Sequence, residues 1–284
     1  MAKLLKGIDA ARSISERLRQ ETARLKEQGI IPCLAILRVG QREDDLAYER
    51  GAMKRCDTVG ITVRQVVLPE TVTQEELLAA VEEINRDDSI HGCLIFLPLP
   101  GHLDEDAVRR ALAPAKDVDG ITGGSLAAVY GGGGEGYPPC TAQACVELLK
   151  HYEVPLQGRR VTVIGRSLVI GKPVSMLLLN ENATVTICHS RTENLPAVCR
   201  EADVLVVAVG RMGLVGAGHV RPGQTVLDVG IHMDGDGHMR GDVRFDEVEP
   251  VVEAVTPVPG GVGSVTTAIL AAHTVAAARK VLKT

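Results

Sequence analysis

The stretch RVTVIGRSLVIGKP at residues 160–173 decides the fold. After Arg160, residues 161–164 are apolar or β-branched, and 160–164 reads as a strand. They run straight into Gly165-Arg166-Ser167, and a helix is expected to open near Gly171-Lys172-Pro173. A strand that feeds a helix through a glycine turn can receive a dinucleotide's phosphates, because unpaired backbone N–H groups point out of the helix start. The spacing is G-x-S-x-x-x-G, which departs from G-x-G-x-x-G. On these residues alone a phosphate loop and an ordinary strand-to-helix turn both stay open.

The same pattern continues on the C-terminal side. Strand-like runs at 183–187, 203–209 and 225–229 are separated by helix-length segments, and 264–281 reads as one long Ala-rich helix. After the run at 183–187 comes Cys188-His189-Ser190-Arg191-Thr192. In a Rossmann unit the residues following the second strand meet the adenosine ribose, where an acid suits NAD and an arginine suits the 2′-phosphate of NADP. Ser190 and Arg191 stand there, so the chemistry leans to NADP.

Toward the N-terminus a helix is expected over 9–28, a buried strand over 32–39, a helix over 43–58 and a strand over 61–68. Thr73 with Glu76 three residues on is a capping box for a helix reaching about Asn85, and Gly92–Leu97 is again a buried strand. Alternating strands and helices call for parallel sheets. The expected fold class is therefore α/β with two domains, an N-terminal parallel-sheet domain and a Rossmann-type NADP-binding domain. Composition places the border at the Gly-rich stretch 131–139. That gives residues 1–138, joined by the C-terminal helix 265–284, and residues 139–264.

Composition excludes other classes of function. The 284 residues carry 31 Lys+Arg against 36 Asp+Glu, a net charge of −5, which argues against a nucleic-acid partner. No Trp and only two Phe leave no platform for stacking bases. No run approaches the length of a membrane span, and the first ten residues build no signal-peptide core, so a cytoplasmic location is expected. Seven cysteines without a C-x-x-C pair predict reduced thiols. His232, Asp234, Asp236 and His238 resemble metal ligands, but Asp-Gly-Asp-Gly between two short strand-like runs is turn chemistry, and no metal is expected. The glycines at 213, 216 and 218 lack a following Gly-Lys-Ser/Thr and read as a loop. In the N-terminal half, the Asp117-Val118-Asp119-Gly120 loop and Tyr48 on the 43–58 helix each admit a functional and a purely structural reading.

Taken together, these segments resemble the methylenetetrahydrofolate dehydrogenase/cyclohydrolase family of one-carbon metabolism. The matching stretches are Val39-Gly40 followed by Tyr48 and Cys56, LPLP at 97–100, KDVDG at 116–120, PCT at 139–141, GRS at 165–167 with Gly171 and Pro173, TICHSRT at 186–192, DVGI at 228–231, GDV at 241–243 and TPVPGGVG at 256–263. They run in family order over nearly the whole chain. The resemblance implies a homodimer, a folate cleft between two domains, and a C-terminal helix that returns to the first. It also implies that Tyr48 and Asp119 are catalytic and hold the folate, and that Pro259, Gly260 and Gly261 border it. Gly165, Arg166, Ser167, Ser190, Arg191, Gly210 and Ile231 would bind NADP.

The departures from the family pattern converge on one place. Where the family carries its catalytic Lys, four residues after the Tyr, this chain has Ala52; Phe96 replaces a Gln, Asp45 a Ser and Ser264 a Pro. Lys54 lies about 240° around the helix from Tyr48, and Arg55 stays protonated at ordinary pH. Hydride transfer depends mainly on positioning, whereas hydrolysis of the methenyl cation needs a proton carrier. A carboxylate such as Asp45 near the developing cation would favour the first step. The expectation is NADP-dependent oxidation of 5,10-methylenetetrahydrofolate with weakened cyclohydrolase activity. A fully bifunctional enzyme and a non-catalytic folate/NADP binder are the alternatives.

Overall fold

In the N-terminal half, apolar runs become parallel strands because only strands covered by helices on both faces can stay continuously apolar. The computed structural model describes residues 1–283. In chain order its first elements are β1 (Lys3–Leu4), α1 (Gly7–Glu27), β2 (Cys33–Val39), α2 (Glu43–Val59), β3 (Thr62–Leu68), α3 (Gln74–Arg86) and β4 (Gly92–Ile95). Next come α4 (Glu105–Ala111), α5 (Gly123–Gly131) and α6 (Cys140–His151). Then follow β5 (Arg160–Ile164), α7 (Gly171–Asn180), β6 (Thr184–Cys188), α8 (Leu195–Glu201), β7 (Val204–Val207) and β8 (Thr225–Asp228). The chain continues through β9 (His232–Met233), β10 (Met239–Arg240), α9 (Phe245–Val248), β11 (Ala254–Val255) and α10 (Gly263–Lys280).

Two compact units emerge, Ser13–Cys140 with Thr267–Thr284 and Met1–Arg12 with Thr141–Thr266. The first holds a parallel sheet in the order β3-β2-β4. Its core gathers Leu37 and Ile95 from the sheet, Leu77 and Val81 from α3, and Val108 from α4. The capping box is present in both directions: Thr73 Oγ1 accepts from the Glu76 N–H at 3.2 Å, and Glu76 accepts from the Thr73 N–H at 2.9 Å.

The second unit is built on a parallel six-stranded sheet in the order β1-β11-β8-β7-β5-β6. Its core draws on Leu205, Val207 and Val226 from the strands and Cys199 from α8. Here β5 has β6 on one side and β7 on the other, so the strand order reverses between β5 and β7. Sequence reading assigns residues 1–138 to one domain, but β1 pairs with β11, Lys3 opposite Ala254, so the first residues complete the second unit's sheet. The expected C-terminal helix ends at Lys280 and tightens into a 3₁₀ turn over Val281–Lys283; Thr284 lies outside the described residues. Between Ile95 and Gly131 the structure has two helices, α4 and α5, where the sequence reading has only a loop and a glycine-rich border. Among the described residues, no helix is long and apolar enough to cross a membrane.

Candidate active site

The second unit offers its ligands at the carboxyl ends of the parallel strands, where an open α/β sheet binds at the point of strand reversal. Gly165 follows β5 with φ +122°, and a Cβ there would collide with the Ala208 carbonyl just past β7. Gly171 packs so closely on the Gly165 carbonyl that it too excludes a side chain. Ser167 Oγ accepts from the N–H of Ile170 at 3.1 Å and of Gly171 at 3.4 Å, capping the start of α7. Arg166, Ser190 and Arg191 are exposed beside these turns, and among the described residues neither guanidinium is ion-paired. Gly210 follows β7 with φ +64°, and Ile231 follows β8 with 59% of its surface exposed. Leu168, Val169 and Met212, on the turns after β5 and β7, are exposed as well.

Two buried acids hold these turns, and the sequence reading names neither as functional. Asp242 accepts from the N–H groups of Val209 (2.7 Å), Gly210 (3.1 Å) and Arg211 (2.8 Å), and bonds His232 Nε2 at 2.8 Å. Asp228 accepts from the N–H groups of Gly230, Asp242 and Val243. Burial pushes the Asp228 carboxyl up to about 6 against the pull of these bonds. Their signal in the sequence is the pair DVGI and GDV, two acids each close to a glycine just past or at a strand end. Pro259 and Gly260 are exposed, and Gly261 is buried where a Cβ would meet the Pro257 carbonyl. Thus Gly165, Arg166, Ser167, Ser190, Arg191, Gly210, Ile231 and the 259–261 turn all follow strand ends of one sheet.

The Asp234–His238 segment is a hairpin turn between β9 and β10. Asp234 accepts from the N–H groups of Asp236 (3.1 Å) and His238 (2.8 Å) and from Arg240 Nε at 3.0 Å. Its carboxylate is occupied by the turn itself. The 213–218 stretch is shaped by Arg244, whose guanidinium fills the space a Cβ at Gly216 would need.

The first unit brings together Tyr48, Phe96, Asp119 and Cys140. Tyr48 sits in the middle of α2, with the ring of Phe96, just past β4, edge-on at 6.0 Å and 86°. Burial first, then the charges of Asp119 and Cys140, hold its hydroxyl well above the usual phenol range. Burial pushes the Asp119 carboxyl up to about 7; the Cys140 thiol's hydrogen bond and Arg109 pull it down, and Asp117 pushes it up. Cys140 opens α6, and its part in this cluster is a second feature the sequence reading leaves out, although PCT is among the matching stretches.

One turn past Tyr48 on the same helix, Ala52 is 1% exposed; Phe96, just past β4, is 8% exposed. Lys54 is exposed. Arg55 turns toward α1 and donates to Ser15 Oγ at 2.8 Å. Asp45 is buried and its carboxyl is raised, by burial first; the charges acting on it are those of Arg42, Asp44, Arg38 and Glu49. Glu49 is itself buried, accepting from Arg38 Nε at 2.9 Å and Gln65 Nε2 at 2.6 Å. Asp45 therefore belongs to an ionic cluster at the start of α2, whereas Tyr48 is coupled to Asp119 and Cys140.

Comparison with known proteins identifies the family. Residues 5–119 match the catalytic domain of tetrahydrofolate dehydrogenase/cyclohydrolase, and residues 139–282 match its NAD(P)-binding domain. The chain is 53% identical over 279 residues to the Bifunctional protein FolD of Carboxydothermus hydrogenoformans, covering 98% of this chain and 97% of that protein. The crystal structure of the Campylobacter jejuni bifunctional enzyme FolD, a methylenetetrahydrofolate dehydrogenase/cyclohydrolase, superposes with a TM-score of 0.95 at 38% identity, covering 99% of each chain. The Trypanosoma brucei enzyme, solved with NADP cofactor and an inhibitor, gives 0.92 at 34% identity over 100% of this chain and 99% of that one. With both family domains matched in order and whole-length relatives at this identity, the chain belongs to the tetrahydrofolate dehydrogenase/cyclohydrolase family.

Proposed function

We propose that the chain oxidises 5,10-methylenetetrahydrofolate to 5,10-methenyltetrahydrofolate with NADP. The observation that carries the reading is the cluster of Tyr48, Asp119 and Cys140 in a chain whose whole-length relatives are named as bifunctional FolD proteins. Asp119 accepts hydrogen bonds from the pterin's N–H donors, and Tyr48, kept protonated, presents ring and hydroxyl to the folate. NADP, when bound, supplies the hydride acceptor.

The residues at the strand ends suit that cofactor. Gly165 and Gly171 let a pyrophosphate approach the backbone, and exposed Arg166, Ser190 and Arg191 offer donors to phosphates. Gly210 and Ile231 line the rest of the cofactor site, and the Trypanosoma brucei relative was solved with NADP. The family resemblance adds a homodimer, which sedimentation at working concentration tests.

For the hydrolytic step, the relatives' names favour a chain that carries both activities over one that lacks the second. A specific observation favours a weak one. Ala52 and Phe96, the positions at which the resemblance implies a Lys and a Gln, are both buried. The group that would move a proton to or from water is missing from that face of α2, and such a group supplies about 10²- to 10⁴-fold. One assay decides both points: reduced NADP is followed by absorbance with methylenetetrahydrofolate present, and then the decay of the methenyl product is followed. No cofactor reduction overturns the dehydrogenase. Accumulating methenyl product indicates weak hydrolysis, and decay well above the buffer rate makes the chain bifunctional through another proton carrier.

A further inference from the structure

The peptide plane that carries Asp119 is held from one side by a residue with no role in the reading so far. His273, on α10, places Nδ1 2.9 Å from the Val118 carbonyl oxygen. A carbonyl oxygen only accepts, so the proton is on Nδ1 and the imidazole donates. Cys140 Sγ also lies 3.3 Å from this oxygen, but its single proton is shared with the Asp119 carboxyl, and His273 Nδ1 lies 3.8 Å from that sulfur. The Val118 carbonyl and the Asp119 N–H share one rigid amide. Fixing the oxygen therefore fixes the plane from which the Asp119 side chain springs.

The residues on either side of this plane are held by contacts of their own. Asp117 is fully buried and accepts from the N–H groups of Ile121 (2.9 Å) and Thr122 (2.8 Å), closing the turn on its far side. Lys116 Nζ donates to the carbonyls of Ile84 and Asp87, both at 2.6 Å. The Val118 side chain fills the space that only a glycine at 92 leaves, and Gly120, at φ +73°, packs against the backbone of Pro138 and Pro139. Tyr137 backs the imidazole, ring to ring at 5.1 Å, with Lys280 Nζ over the Tyr137 ring at 4.6 Å.

We propose that His273 is a positioning residue for the folate: its Nδ1–H holds the Val118–Asp119 peptide so that the Asp119 carboxylate meets the substrate. Burial and the charge of Lys280 push the imidazole down, to about 4 overall, while its bond to Val118 and the charge of Asp117 act the other way. The ring is therefore neutral, with Nδ1 the donor, across the working pH range. The proposal rests on the assignment of Asp119 to the folate.

The test uses the whole protein with four substitutions. His273→Leu removes the donor at similar volume, and His273→Asn returns a donor where Nδ1 lies. His273→Gln places one where Nε2 lies instead, and Asp119→Ala checks the underlying assignment. For His273→Leu the KM for methylenetetrahydrofolate should rise about tenfold, the worth of one hydrogen bond. Its kcat should stay within about twofold and its NADP dissociation constant should be unchanged, with wild-type KM restored by Asn and not by Gln. A wild-type KM for His273→Leu overturns the proposal while a loss of folate binding in Asp119→Ala leaves the assignment of Asp119 standing. An Asn variant as impaired as the Leu variant, or a loss of NADP affinity equal to that of folate, overturns it as well. Unchanged folate binding in Asp119→Ala overturns both.

Discussion

Asp119 shows how a buried carboxylate can weaken the protein that carries it. Its carboxyl is pushed up to about 7 in the folded chain, chiefly by burial, against about 3.9 in an unfolded one. With the folded value the higher, the stability linked to this group is fully present below about pH 4 and is lost as pH rises through about 7. Asp119→Asn should therefore raise the melting temperature of the unliganded protein at pH 8, with a gain that shrinks toward pH 4. The same variant should lose folate binding, because an amide cannot supply the charge-assisted bonds to the pterin. A melting temperature unchanged at pH 8 would show that the carboxylate is already well compensated. The sequence placed Asp119 only through the KDVDG match; nothing in the loop announces Cys140, which lies 21 residues further on and reaches the carboxyl through the fold.

Among the elements, the longer strands were legible because most are short, mainly apolar or β-branched runs bounded by turn residues, as β2 and β4 show. Helices α4 and α5 were not. α4 has only seven residues, and α5 opens on Gly123-Gly124, which local propensity counts against a helix. Short-range side-chain bonds offset it: Asp117 fixes the N–H groups of Ile121 and Thr122, and Thr122 Oγ1 then caps Ser125 at 3.1 Å. The pairing of β1 with β11 joins residues about 250 positions apart and leaves no local signature either. Within α2, burial of the position one turn past Tyr48 sets the outcome of restoring a lysine. Ala52→Lys alone forces a long cation into a filled apolar site and should cost about 1–3 kcal/mol in chemical denaturation. Adding Phe96→Gln opens space and supplies a polar partner, so the double variant should recover stability and speed methenyl hydrolysis by about tenfold or more. A single variant as stable as the parent, or a double variant with no gain in hydrolysis, would mean that Phe96 does not close that site.

At the scale of the whole molecule, the division into two units predicts that its two ligands stabilise it through separate residues. The residues assigned to NADP all follow strand ends of the six-stranded sheet, while Tyr48 and Asp119 belong to the unit built on β3-β2-β4. A ligand that binds only the folded chain adds RT ln(1 + [L]/Kd), about 2.7 kcal/mol at a hundred times Kd. NADP at that excess should raise the melting temperature of the parent and of Asp119→Asn alike, whereas a folate analogue should raise only the parent's. Arg191→Ala should show the converse, keeping the folate increment. It should lose about 1.4 kcal/mol of the NADP increment if the arginine's bond to the 2′-phosphate is worth tenfold in affinity. NAD at equal concentration should shift the parent less than NADP and should shift Arg191→Ala by the same amount as the parent, since its ribose offers no 2′-phosphate to lose. If NAD and NADP stabilise the parent equally, Ser190 and Arg191 do not read the 2′-phosphate, and the cofactor assignment falls while the folate assignment stands.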